Sequence, residues 1–91
     1  MTPRQMFENM GYKYTFIGTD DFDHEDWNPP EQQILYEKKV GNKTKFILFD
    51  LPKIETWFFL VRTSTMEILN CPTDYDEIRA INEQWKELGW V

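Results

Sequence analysis

Six carboxylates lie within thirteen consecutive residues, and they are the densest group of side chains here that could do chemistry. The segment 19–31 reads TDDFDHEDWNPPE and contains no lysine or arginine. The six acids are Asp20, Asp21, Asp23, Glu25, Asp26 and Glu31. The chain has 16 acids and 10 basic residues, so the other ten acids are balanced and the net charge of −6 belongs to this segment.

Clustered carboxylates can bind hard cations, and the spacing Asp21-x-Asp23-x-Glu25 matches the first ligands of an EF-hand loop. Such a loop also needs glycine at its sixth position and glutamate at its twelfth. Those positions hold Asp26 and Gln32 here. The sequence therefore predicts no specific metal site, and no motif indicates a cofactor.

Nucleophilic catalysis would depend on the single cysteine, Cys71. The single histidine, His24, lies far from it in sequence, inside the acidic segment. A buried, unreactive thiol is therefore the better interpretation. No glycine-rich phosphate loop is present, and the chain is not expected to be an enzyme.

Two large rings, Phe22 and Trp27, lie within the acidic segment. Aromatic side chains are enriched where proteins bind one another, and surrounding charge steers the encounter. The sequence predicts that these rings and the six acids together engage a protein with a basic surface. Anchoring of the rings on the domain itself is the alternative.

A second charged group surrounds a predicted hairpin turn and suggests nucleic-acid binding. It consists of Lys38, Lys39, Lys43 and Lys45. The acidic segment argues against broad contact with a polyanion. Solvated lysines that discourage edge pairing of strands are the simpler interpretation.

Length and composition limit the remaining choices. Ninety-one residues predict one domain over 1–91, and 16% aromatic residues supply large side chains for its core. One cysteine excludes an internal disulfide and suits a reducing compartment. No secretory leader or membrane span is recognisable, so we expect a cytoplasmic protein.

The order of elements follows from local signals. Thr2, Pro3 and Gln5 form a capping box that begins a short helix, and Gly11 ends it. Alternation of rings and polar residues predicts a strand over 12–17, and a turn at 40–43 predicts a hairpin of strands over 33–39 and 44–49. A strand over 54–62 and an edge strand over 66–70 follow.

The final element is a helix, for which Thr73 is the predicted cap. Its apolar stripe consists of Ile78, Ile81, Trp85 and Leu88, and Gly89 ends it. The expected fold is α+β: an antiparallel meander of four or five strands with both helices on one face.

The two ends of the chain resemble a known group of proteins. Met6-Phe-Glu-x-Met-Gly-Tyr12 and Ala80-Ile-Asn-Glu-Gln-x-x-x-Leu-Gly-Trp90 are similar to the ends of small proteins of temperate phages and prophages of Gram-positive bacteria. The resemblance implies a phage-encoded protein that works in a bacterial cytoplasm. It carries over no functional residues.

These observations predict a protein-binding module that inhibits a host nucleic-acid-binding or defence protein, such as a CRISPR nuclease. Carboxylates would occupy the basic surface that normally takes phosphates. The alternatives are a nucleic-acid-associated phage regulator that uses the hairpin lysines, and a homodimer that associates through an uncovered sheet face or edge.

Overall fold

A computed structural model describes residues 1–18 and 32–91. Within these two ranges, two helices and five strands follow one another. They are α1 (Pro3–Asn9), β1 (Lys13–Gly18), β2 (Gln32–Val40), β3 (Lys43–Asp50), β4 (Glu55–Arg62), β5 (Ile68–Leu69) and α2 (Tyr75–Leu88). The strands form one antiparallel sheet in the order β1-β2-β3-β4-β5, so the predicted α+β meander is confirmed.

The first helix begins as its sequence predicts. The Thr2 side chain accepts a hydrogen bond from the Gln5 backbone, and the Gln5 side chain accepts one from the Thr2 backbone. Pro3 lies in the first turn, where a backbone N–H has no acceptor within the helix. Its lack of an N–H therefore costs no hydrogen bond. Phe7 then projects into the core.

Both helices pack on one side of the sheet. Their shared core is made of buried side chains from the strands and from each helix: Phe7, Tyr12, Ile34, Tyr36, Ile47, Phe49, Ala80 and Ile81. The Phe7 ring stacks on Tyr36, with centroids 4.0 Å apart. The hydroxyl of Tyr36 donates to Gln84 Oε1 at 2.8 Å, which joins the sheet to α2.

The second helix differs from its prediction in two respects. Asp74, and not Thr73, is the N-cap, because its carboxylate accepts from the Glu77 backbone N–H at 2.9 Å. The buried side chains are Glu77, Ala80, Ile81 and Gln84, whereas Ile78 is 54% exposed. Three residues of the predicted stripe, Ile81, Trp85 and Leu88, do pack into or against the core. The inward face differs only in that Ile78 is replaced by the polar residues Glu77 and Gln84, which find partners on the sheet.

The predicted edge strand over 66–70 is shorter in the structure. Only Ile68 and Leu69 pair with β4. Met66 has a positive φ of 58°, so the chain turns there before it can pair.

Candidate interaction surface

The side of the sheet opposite the helices carries a large apolar area, which we call the open face. Its apolar members are Ile17, Leu35, Phe46, Leu48, Trp57, Phe59, Val61 and Ile68. None of them belongs to the core formed with the helices. Within residues 1–18 and 32–91, no helix or strand is stacked on this face.

Strand register places these side chains side by side. Residues directly opposite one another in antiparallel strands lie on the same face of the sheet. Leu48 on β3 is opposite Leu35 on β2 and Trp57 on β4. Phe46 is opposite Phe59, and Val61 is opposite Ile68. The apolar area therefore runs without interruption from β2 to β5.

The aromatic members form the centre of the open face. The rings of Phe46 and Phe59 stack across the strands, with centroids 5.2 Å apart. Trp57 is 55% exposed, and its indole N–H donates to Glu55 at 3.1 Å. Ile68 is 73% exposed at the β5 edge. Phe46 and Phe59 are partly buried, and Val61 beside them is 8% exposed. A preorganised, partly exposed aromatic cluster of this kind is typical of protein-binding surfaces.

Charges of opposite sign lie at the two ends of the open face. Asp50 and Glu55 are directly opposite each other at one end. Lys39 lies at the other end, and Lys13 and Glu37 form a cross-strand pair beside it. The face is thus acidic at one end of the strands and weakly basic at the other.

The acidic segment joins the sheet at the acidic end. Gly18 and Gln32, the residues that flank segment 19–31, are opposite each other in the register of β1 and β2. The candidate binding residues Asp20, Asp21, Phe22, Asp23, Glu25, Asp26, Trp27 and Glu31 lie outside the described residues. The segment is attached through Gly18 and Gln32 at this end of the sheet, and its sequence contains six acids.

The four hairpin lysines do not form one cationic patch. Lys39 projects toward the open face, whereas the other three lie on the opposite side. Lys45 is 6% exposed and is paired with Glu77. Lys38 lies over the Tyr12 ring, 5.5 Å from its centroid. The described geometry therefore gives the nucleic-acid alternative no common surface.

A cluster of titratable side chains is buried where α2 meets the sheet. Lys45 donates to the Glu77 carboxylate and to the Pro72 carbonyl, so both charges are satisfied. Burial raises the pKa of the nearby Cys71 thiol, which opposes formation of a nucleophilic thiolate. Burial, followed by the Glu77 carboxylate, raises the pKa of Tyr12. This cluster joins the helix to the sheet.

A second, smaller apolar area lies on the helix side. A groove of about 400 Å³ is lined by Phe58 on β4 and by residues of α2 that include Tyr75, Ile78 and Trp85. Trp85 of α2 donates to Thr56 on β4 at 2.8 Å at one side of the groove, but Phe58 stays 45% exposed. The groove lies on the opposite side of β4 from Trp57, so the two surfaces can be tested separately.

The described part of the chain offers no candidate metal cluster and no membrane-spanning helix. It contains no cluster of three or more histidine, cysteine, aspartate or glutamate side chains that could hold a metal ion. Of its two helices, neither is long and apolar enough to cross a membrane.

Comparison with known proteins supplies no relative. No protein-family model matches the chain, and neither a curated protein nor a solved structure is similar to it. The resemblance of its ends to phage proteins therefore stays a prediction, and the function must be argued from the surfaces of this chain.

An uncovered sheet face entered the sequence-based expectations only through the homodimer alternative, without its residues, although the strands carry a signal for it. A strand covered on one side should alternate apolar and polar residues. Consecutive apolar residues occur instead within Lys45–Phe49 and Trp57–Val61. They place large side chains on both sides of the sheet. With two short helices available to cover one side, these strands indicate a second apolar face.

Proposed function

We propose that this chain is a protein-binding module whose contact surface is the open face of the sheet. The observation that carries the proposal is the uninterrupted apolar area centred on Phe46, Trp57 and Phe59. Monomeric proteins rarely expose contiguous apolar areas larger than a few hundred Å². Burial against another protein would remove this surface from water, which is favourable in proportion to the area.

The charges that border the open face define the partner more closely. Asp50 and Glu55 favour basic groups on whatever meets that end. The partner is therefore a protein with an apolar contact surface and basic side chains at one border. The aromatic residues would supply most of the binding free energy, and the charges would supply orientation.

Photo-crosslinking tests this proposal without a known partner. A photoreactive benzoylphenylalanine at position 57 would lie on the open face, and the same group at position 58 would lie in the groove on the helix side. We expect a crosslinked protein product from position 57 in cells that express the chain, and none from position 58. A product from position 58 alone, or from neither position, would contradict the proposal.

Inhibition of a host nucleic-acid-binding protein is a second candidate function. The observation that favours it is the acidic end of the molecule, where Asp50 and Glu55 lie near the residues that flank segment 19–31. Six further carboxylates on that segment would compete with phosphates for a basic protein surface. A phage-encoded inhibitor of a CRISPR nuclease or of another defence factor belongs to this class.

Neutralisation of the segment tests the second candidate. A variant with Asn or Gln at Asp20, Asp21, Asp23, Glu25 and Asp26 retains the rings but loses five charges. If carboxylates bind a basic host protein, this variant should capture less of that protein from lysate, and binding of the parent chain should weaken as salt rises. Equal capture by both chains at all salt concentrations would contradict it.

A further inference from the structure

We infer that the partner of the open face is a second copy of this chain, which makes the protein a twofold-symmetric dimer. This inference rests on the proposed function, because it names the occupant of the same surface. A twofold dimer brings one surface against its own copy, so that surface must be self-complementary in shape and charge.

The distribution of charge satisfies this condition. When two open faces meet with their strands antiparallel, the Lys39 end of each copy lies over the Asp50–Glu55 end of the other. Each dimer then contains two equivalent attractions between unlike charges at its borders. In the parallel arrangement, Asp50 and Glu55 of both copies would meet at one end and repel, so the charges select the antiparallel orientation.

The aromatic centre remains in contact in the antiparallel orientation. The Phe46–Phe59 pair and the Leu48–Trp57 pair are successive rows near the middle of β3 and β4. We place the twofold axis across the strands, midway between these two rows. The Phe46–Phe59 row of each copy then lies over the Leu48–Trp57 row of the other copy. Large rings therefore meet medium-sized aliphatic and aromatic side chains in the centre, where an interface is best packed.

The size of the face is sufficient for a modest dimer. The five strands are six, nine, eight, eight and two residues long; with strands about 4.8 Å apart and a rise of about 3.3 Å per residue, the sheet covers about 500 Å² on each copy. The pair would bury about 1,000 Å², which is the lower limit for a specific interface. Two sheets that pack this way lie about 10 Å apart, as in a β-sandwich.

Sedimentation equilibrium of the full chain tests the inference. We expect a reversible dimer, and we expect Trp57→Ser to convert it to a monomer. Phe58→Ser is the matched control, because the neighbouring ring is similarly exposed on the other side of the sheet. That variant should remain dimeric, and circular dichroism should show that both variants are folded.

Charge reversal provides a stricter test that leaves the apolar centre unchanged. Lys39→Glu alone and Asp50→Lys alone each place like charges over one another at both ends of the dimer, so each should weaken association by about tenfold. A mixture of the two variants restores unlike charges at both ends. Native mass spectrometry should therefore show the heterodimer in excess over both homodimers.

Several results would overturn the inference. A full chain that stays monomeric up to its solubility limit would do so, as would a Trp57→Ser variant that stays dimeric. Monomeric protein that is destabilised by Trp27→Ala would assign the cover to the chain's own segment 19–31. If the full chain is monomeric but position 57 still crosslinks to another protein, the inference fails while the proposed function stands.

Discussion

Lys45 on β3 and Glu77 on α2 form an ion pair inside the protein, and each side chain is only 8% exposed. Lys45 also donates to the Pro72 carbonyl just before the helix. Removing one member of a buried ion pair leaves an unpaired charge in a poorly solvated site, which is more costly than losing both charges together. The pair therefore determines where α2 docks on the sheet.

The first prediction concerns this pair. Lys45→Met or Glu77→Leu alone should lower the free energy of unfolding by about 3–5 kcal/mol, because each leaves the other charge buried without its partner. The double variant Lys45→Met/Glu77→Leu should lose much less than the sum of the two single losses. Urea unfolding of the four proteins measures the coupling. Additive losses would show that the two side chains act independently.

The second prediction compares two buried tyrosines. Tyr36 donates to Gln84 at 2.8 Å, and both side chains are almost fully buried. Tyr36→Phe should cost about 1–3 kcal/mol, since it leaves the buried Gln84 oxygen without its donor. Tyr12 is buried too, but its hydroxyl has no hydrogen-bond partner among the described residues. Tyr12→Phe should therefore change stability little. Similar losses in the two variants would contradict this distinction.

The third prediction concerns alkaline pH. Burial raises the pKa of both Tyr12 and Tyr36 in the folded protein above the value of about 10 that tyrosine has in an unfolded chain. The unfolded state therefore loses these protons first. Stability should be fully present below pH 10 and should fall as the pH rises toward the folded pKa values.

Urea midpoints measured between pH 8 and pH 11 test this expectation. Tyr12→Phe is the matched control, because it removes one titrating hydroxyl without breaking a hydrogen bond. The decline above pH 10 should be shallower in this variant than in the parent. Identical declines would mean that ionisation of other groups causes the alkaline loss.

The fourth prediction concerns the start of α2. Asp74 is the N-cap, and its carboxylate accepts the Glu77 backbone N–H at 2.9 Å. Asp74→Ala should lower the free energy of unfolding by about 1 kcal/mol, because a helix N-cap that loses its side-chain acceptor leaves an N–H unsatisfied. Thr73→Ala should change it by much less. The reverse order would restore Thr73 as the cap, as the sequence suggests.

Much of the fold could be predicted because each element carries its own local signals. The capping box at Thr2 and Gln5 is a contact between residues three apart, so it is visible in the sequence. Gly41, with a φ of 64°, is in the turn predicted between β2 and β3, where left-handed backbone favours glycine. Short antiparallel connections then bring consecutive strands together, which fixes their order as a meander.

The details that could not be predicted depend on contacts between distant residues. Glu77 and Gln84 look like solvent-facing positions of α2, but their partners Lys45 and Tyr36 lie on strands 32 and 48 residues earlier. No pattern within the helix shows that these polar side chains will be satisfied in the core. The side chains that share the open face could not be assigned for a related reason, since their neighbours are known only from the register of β2 to β5.

The last prediction tests the orientation of α2 with two isoleucines from its sequence stripe. Ile81 is 4% exposed and belongs to the core, whereas Ile78 is 54% exposed and lines the groove beside Phe58. Ile81→Ala should cost about 2–5 kcal/mol, because it removes buried methyl groups and leaves a cavity. Ile78→Ala should cost less than about 1 kcal/mol, since the side chain is half in water and alanine favours a helix.

Ile78→Ala is the matched control for Ile81→Ala, because the same substitution is made three residues away in the same helix. Thermal and urea unfolding of both variants would give the difference directly. Large losses in both would mean that α2 presents the stripe Ile78, Ile81, Trp85 and Leu88 to the sheet, as the sequence periodicity suggests. A large loss in Ile81→Ala alone would confirm that Ile78 lies outside the contact between α2 and the sheet.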